Sequence, residues 1–110
     1  IEDNRFVNTR KMAVMVVGCT GVQILRNEVS CEAGRRLTWN HPQWYPVDCS
    51  IYLDNCTGAV VKELKLRDPN ITEAAVYIGK TCSPGIAGVS VEGVDAQLPA
   101  GVTVVKDARP

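Results

Sequence analysis

The chain has 110 residues, 45% hydrophobic and 22% charged, which is the composition of one folded domain and excludes a disordered segment. Twelve basic residues balance twelve acidic ones, six of each in residues 1–55 and six of each in 56–110, so no stretch has the basic excess that nucleic acid requires. The longest nearly apolar run, Met12 to Val22, has 11 residues, well short of the roughly 18–20 that a membrane-spanning helix needs.

In chain order, the polar start "IEDNR" is followed by the β-branched run "KMAVMVVG" and, after a short break, by "GVQILRNEVSC". "CSIYLDN" and "GAVVKELKLRD" repeat the scheme, and "EAAVYIGK", "AGVSVEG" and "GVTVVKD" supply three more candidate strands separated by Gly- and Pro-bearing breaks. A helix near 70–78 is the alternative for "DPNITEAAVYIG", where Pro69 and Thr72 resemble a helix start. Seven to eight short strands at this spacing predict an all-β fold, a small disulfide-stabilised β-sandwich or barrel, in a single domain spanning residues 1–110.

The motif Cys-Thr-Gly occurs at Cys19 and again at Cys56, 37 residues later. Read as hairpins, both place a cysteine at a turn tip with glycine free to take positive φ, and leave Cys31 and Cys49 at the bases. If "SIYLD" is extended, Cys49 and Cys56 stand roughly 20 Å apart, too far for a disulfide whose Cα atoms must lie within about 7 Å. Tip then pairs with tip and base with base. The expected bridges are Cys19–Cys56 and Cys31–Cys49, with Cys82 a free thiol or a link in a covalent homodimer; the rival is that Cys82 takes one of those partners.

Five cysteines without a C-x-x-C pair, the sequons at Asn55 and Asn70, and Ile1 in place of an initiator Met together predict a processed, glycosylated protein that is secreted to an oxidising, extracellular space.

The segment "RRLTWNHPQWYPVDC" (Arg35 to Cys49) concentrates both tryptophans, one tyrosine and the single histidine. Closed by a Cys31–Cys49 bridge, it would present Trp39, His41, Trp44 and Tyr45 as rigid amphipathic faces for a sugar ring or a protein hot spot. The alternative is that a tryptophan plugs the core. Catalysis is harder to assemble. A cysteine–histidine pair would have to use His41 with no cysteine marked as activated, whereas a ribonuclease could use His41 with Glu32 or Asp48 and a phosphate-binding Arg35 or Arg36. "VVGCTGVQ" lacks the third glycine and the acid of a dinucleotide-binding turn, and no ligand spacing for a metal is present. "TCSPGIAGV" reads as a plain connection more than as an inhibitor loop.

The function expected on these grounds is protein or carbohydrate recognition, effector- or toxin-like and of the kind used in virulence, with an extracellular or host protein, or a carbohydrate, as partner and no cofactor. A small hydrolase centred on His41, or a subunit of a larger assembly with exposed apolar surface, are the alternatives.

Overall fold

Four eight-residue stretches lie one above another: "IEDNRFVN" (1–8), "ILRNEVSC" (24–31), "VKELKLRD" (61–68) and "VEGVDAQL" (91–98). In each, an apolar residue enters, a two-residue corner turns the chain, and the alternation resumes. The computed structural model describes residues 1–9, 12–34 and 47–110, and among them the chain forms eleven short strands and one turn of helix. The strands are β1 (Arg5–Val7), β2 (Val14–Val17), β3 (Gln23–Leu25), β4 (Glu28–Ser30), β5 (Cys49–Asp54) and β6 (Ala59–Lys62). They continue as β7 (Lys65–Arg67), β8 (Ala74–Ile78), β9 (Val89–Glu92), β10 (Asp95–Gln97) and β11 (Thr103–Asp107), with α1 (Gly85–Gly88) before β9.

Every strand pairs in parallel with the strand three places along the chain, giving sheets in the order β1-β4-β7-β10, β2-β5-β8-β11 and β3-β6-β9. This is a parallel β-helix: each coil visits three faces and the next lies on top of it. Side chains at one register position therefore form columns. The inward columns are apolar, as in Val29 and Leu66 of the β1 sheet, Ile51 and Val76 of the β2 sheet, and Ile24 and Val61 of the β3 sheet, all at most 1% exposed. Burying each such side chain contributes about 1.5–3 kcal/mol, which offsets the entropy of ordering strands this short.

The corner between the β3 and β1 sheets is the same in every coil. Asp3, Arg26, Glu63 and Gly93 stack there with φ of 56°, 53°, 57° and 67°. Left-handed backbone is disfavoured for arginine and glutamate, so the stack must impose it. Next in each coil come Asn4, Asn27, Leu64 and Val94. Asn27 is 3% exposed and satisfied: its Oδ1 accepts from the backbone N and the Nδ2 of Asn4, at 3.0 and 3.1 Å, and its Nδ2 donates to the Ile1 carbonyl at 3.1 Å. Outside it, Arg26 pairs with Glu2 and Asp3 at 3.0 and 2.8 Å.

The other corners vary. The step from β1 to β2 (Arg5 to Val14) is 9 residues, whereas the aligned step from β4 to β5 (Glu28 to Ile51) is 23. The long step carries the aromatic-rich segment. The aligned step from β5 to β6 (Ile51 to Val60) is again 9 residues, and that from β8 to β9 (Val76 to Ser90) is 14, the excess holding α1.

Several expectations are overturned. The sandwich is replaced by three all-parallel sheets, because "GVQILRNEVSC" and "GAVVKELKLRD" are not single strands but pairs (β3 with β4, β6 with β7) broken by the left-handed corner. The stretch near 70–78 is β8, and the helical turn lies at Gly85–Gly88 inside "TCSPGIAGV". The repeated Cys-Thr-Gly marks successive coils: the Thr57 N–H donates to the Cys19 carbonyl at 3.1 Å, and Ser83 N–H to that of Cys56 at 2.9 Å.

No disulfide forms among the described residues, and all five cysteines remain thiols. Stacking brings backbones together without aiming the sulfurs at one another. Cys56 Sγ donates to the Asp54 carbonyl at 3.2 Å, while Cys19 Sγ turns toward the carbonyl of Val17 at 3.8 Å. Cys31 Sγ meets Thr9 Oγ1 at 3.4 Å, and Cys49 packs elsewhere, with Tyr52 and Ala74.

Gly79 is fixed by a close approach: a Cβ built there would collide with Asp54 Oδ1. Gly79→Ala should therefore lower the unfolding free energy by about 1–3 kcal/mol. In Asp54→Gly, which removes Oδ1, Cγ and Cβ, the three atoms nearest the new methyl, the added cost of Gly79→Ala should be much smaller; equal costs in the two backgrounds, measured by urea denaturation, would exclude this contact as the cause.

Candidate binding site

A concavity among the described residues lies at the corner where the chain leaves the β1 sheet for the β2 sheet. It is a cleft of about 470 Å³ lined by Cys31, Arg67, Asp68, Pro69, Gln97, Leu98 and Pro99. Three coils build it, because the residues that follow β4, β7 and β10 stack there. Pro69, Leu98 and Pro99 give it apolar walls. Arg67 on its lining is held in place, donating to the Leu66 and Asp95 carbonyls at 2.8 and 3.0 Å and to both Asp95 carboxylate oxygens at 3.2 Å. Asp68, 1% exposed, forms the floor and accepts from the backbone N and the Nδ2 of Asn70, both at 2.9 Å.

Asn70 is built into the same corner. Its Oδ1 accepts from Gly34 N–H at 2.7 Å, and its Nδ2 also donates to the Glu32 carbonyl at 2.8 Å. Both amide hydrogens are used, so a glycan on this nitrogen would have to displace one of the bonds. Asn55, the other sequon residue, is exposed at the opposite corner with φ of 50°. With no disulfide formed, the secreted, toxin-like character expected from the cysteines loses its support.

Of the residues singled out from sequence, Arg35, Trp39, His41, Trp44 and Tyr45 lie outside the described residues. The two ends of that segment are described. Glu32 and Gly34 are fastened to Asn70, and Asp48 Oδ2 accepts from the backbone N and Oγ1 of Thr72 at 3.1 and 2.8 Å. The segment thus leaves beside the cleft and rejoins the coil through hydrogen bonds, not through a Cys31–Cys49 staple. Asp48 serves here as an anchor.

A second polar cluster caps the corner between β5 and β6. Asp54 Oδ1 accepts from Asn55 N–H at 3.0 Å and from the Thr81 hydroxyl and N–H, while Oδ2 accepts from Tyr52 O–H at 3.3 Å. Burial pushes the Asp54 carboxyl up, but hydrogen bonds from Thr81, Asn55 and Tyr52 outweigh it and hold the group below the usual carboxylate range. Tyr52, stacked on Tyr77 with centroids 5.6 Å apart, is pushed up to about 12 by burial and then by Asp54. Burial likewise raises the Cys82 thiol. All three shifts lead away from neutrality, which suits a structural cluster and not an acid–base pair or a thiolate nucleophile. Among the described residues no group of three or more His, Cys, Asp or Glu could hold a metal ion. The cleft residues Arg67 and Gln97 were not singled out from sequence; the stacked octads "VKELKLRD" and "VEGVDAQL" are the signal that aligns them.

Two measurements test this account. Alkylation of the native protein without reductant should label Cys19 rapidly, and Cys49 and Cys56, both 0% exposed, only on unfolding; thiols that stay blocked in denaturant until reduction would restore a disulfide. Asp54 binds its proton more weakly folded than unfolded, so its contribution to stability is complete above an unfolded pKa of about 3.9 and is lost as pH falls through the lower folded value. Asp54→Asn should therefore flatten the acid limb of a stability–pH profile, and an unchanged slope would show that the carboxylate is not tuned by these bonds.

Comparison of the chain with protein-family models, curated proteins and solved structures gave no match.

Proposed function

We propose that this protein is a recognition module for an extended carbohydrate, which it binds along the outer face of the β1 sheet and in the cleft at that sheet's edge. The cleft is the observation that carries the proposal. It combines apolar walls at Pro69, Leu98 and Pro99 with the exposed amide of Gln97 as a hydrogen-bonding group. Sugar rings need both: a flat C–H face to pack and hydroxyls to orient by planar donors and acceptors. The adjoining face presents Glu28, Ser30, Lys65, Arg67, Asp95 and Gln97, two residues from each of three strands spaced about 4.8 Å apart. A ladder of alternating donors and acceptors suits a ligand that is itself a repeat. The aromatic-rich segment with Trp39, His41, Trp44 and Tyr45 departs from this same corner, where Asn70 and Thr72 fasten its ends.

Binding is tested by titrating neutral and acidic oligosaccharides into the intact protein in a calorimeter. Gln97 is exposed and lines the cleft, so Gln97→Ala should leave the melting temperature unchanged and weaken binding about tenfold, the loss of one hydrogen bond to a bound ligand. Affinity that ignores Gln97, or no binding by any oligosaccharide at millimolar concentration, would reject the proposal.

A further inference from the structure

Residues 80–87 make up most of the long step from β8 to β9. One side chain among them is buried: Cys82, 6% exposed, with its Sγ turned toward the Leu53 carbonyl at 3.6 Å. Pro84, Gly85, Ile86 and Ala87 all stand in water, and Ile86 is 82% exposed. No large apolar side chain therefore anchors this stretch to the core. Hydrogen bonds hold it instead. Asp54 accepts from the Thr81 hydroxyl and N–H at the near end. In the middle, the Ser83 N–H donates to the Cys56 carbonyl at 2.9 Å and the Ser83 hydroxyl meets that of Thr57. Arg109 closes the far end. One of its terminal nitrogens donates to the carbonyls of Ser83 and Gly85 at 2.7 and 2.9 Å, while Asp107 accepts from the other two nitrogens at 2.8 and 2.7 Å.

We infer that residues 80–87 are a flap that opens while the coils stay folded, that Arg109 is its clasp, and that this opening delivers the Cys82 thiol to solvent. The two kinds of opening differ in what they expose. Unfolding a coil uncovers the stacked columns of Ile51, Val76 and their neighbours, 1% and 0% exposed. Lifting the flap gives up hydrogen bonds that water can replace and uncovers one small side chain, so it needs only a fraction of the global unfolding free energy. The flap has fixed ends. A Cβ on Gly88 would strike the Ser83 carbonyl, so residues 83–88 fold back on themselves as one tight turn, and Gly79 is seated against Asp54. The clasp reaches the flap from a different coil. The Ala108 N–H donates to the Ile78 carbonyl at 2.9 Å, which fixes the backbone that carries Arg109, and the Arg109 side chain lies against the turn, 12% exposed. Closed, the flap withholds Cys82 from the soft electrophiles that the exposed Cys19 meets freely. Open, it offers a second thiol.

Native-state alkylation with iodoacetamide tests the flap. An exposed thiolate displaces iodide and keeps the label, so peptide mass spectrometry gives a rate for each cysteine. The rates are followed through urea concentrations below the unfolding transition. Cys82 should be labelled at least about tenfold faster than Cys49, at a rate that hardly changes with urea, whereas the Cys49 rate climbs steeply because it reports global unfolding. Arg109→Ala should raise the Cys82 rate about tenfold, the loss of one charge-assisted hydrogen bond, and Arg109→Lys, which keeps the charge without the fork, should raise it less. Ile24→Val, a mild core change distant in sequence from the flap, should raise the Cys49 rate about fivefold and leave the Cys82 rate as it was, because its cost falls on the closed and open flap alike. A Cys82 rate that matches that of Cys49 in its urea slope and in its response to Ile24→Val would show that Cys82 is reached only by global unfolding and would overturn the flap. A Cys82 rate indifferent to Arg109→Ala would overturn the clasp.

Discussion

Parallel stacking of like positions governs this molecule. Each coil is too short to bury its own apolar side chains, and three or four residues per strand fix few hydrogen bonds. Stability arises only when an isoleucine in one coil rests on a valine in the next and the backbone between them pairs on both sides. That requirement explains the corner at Asp3, Arg26, Glu63 and Gly93. A left-handed residue is uncomfortable for arginine or glutamate, but a single coil that turned otherwise would throw every later column out of register. The strain is held by neighbours, not by local preference.

The same stacking separates polar groups that hold the coils together from polar groups that face solvent. Asn27 and Asp54 are polar groups whose bonds run to adjacent coils or along the corner, and they tie the stack together from within. The outward columns have no such duty. Their identity can change from coil to coil without disturbing the core, which is why the β1 sheet can present charges of both signs on one flat face. The cleft at its edge has the same origin, since the residues leaving β4, β7 and β10 must stack wherever the corner takes them.

The strand-rich character and the Gly- and Pro-bearing breaks could be read from the sequence, but the corners at Arg26 and Glu63 could not. A repeat could also be read, in the Cys-Thr-Gly at Cys19 and Cys56. Its meaning was lost because a strand–glycine–strand pattern has the same local signature in a hairpin and in a coil corner, and only the partner three strands away distinguishes them. The octads starting at Ile1, Ile24, Val61 and Val91 hold the decisive pattern, but they are spaced 23, 37 and 30 residues apart, and that irregularity hides it. The disulfides failed for a related reason. Spacing along a chain can exclude a bridge, as it did for Cys49 and Cys56, but it cannot say which way a sulfur points. Arg67 and Gln97 come together only through stacking, so no local motif announces the cleft.

The unequal steps between strands carry a consequence for how such a protein diversifies. The five-residue step through the left-handed corner is constant, whereas the step after the β1 sheet ranges from 9 to 23 residues without moving the strands that follow it. Lengthening a surface connection is thermodynamically mild, about 0.6 kcal/mol per doubling, provided its ends stay fixed. Asn70 and Thr72 fix them here. The corner therefore works as a port: a new sequence of very different length could be grafted between Gly34 and Val47 and inherit a fixed mount, so that this surface can diversify by exchange of one segment while the coils beneath it remain as they are.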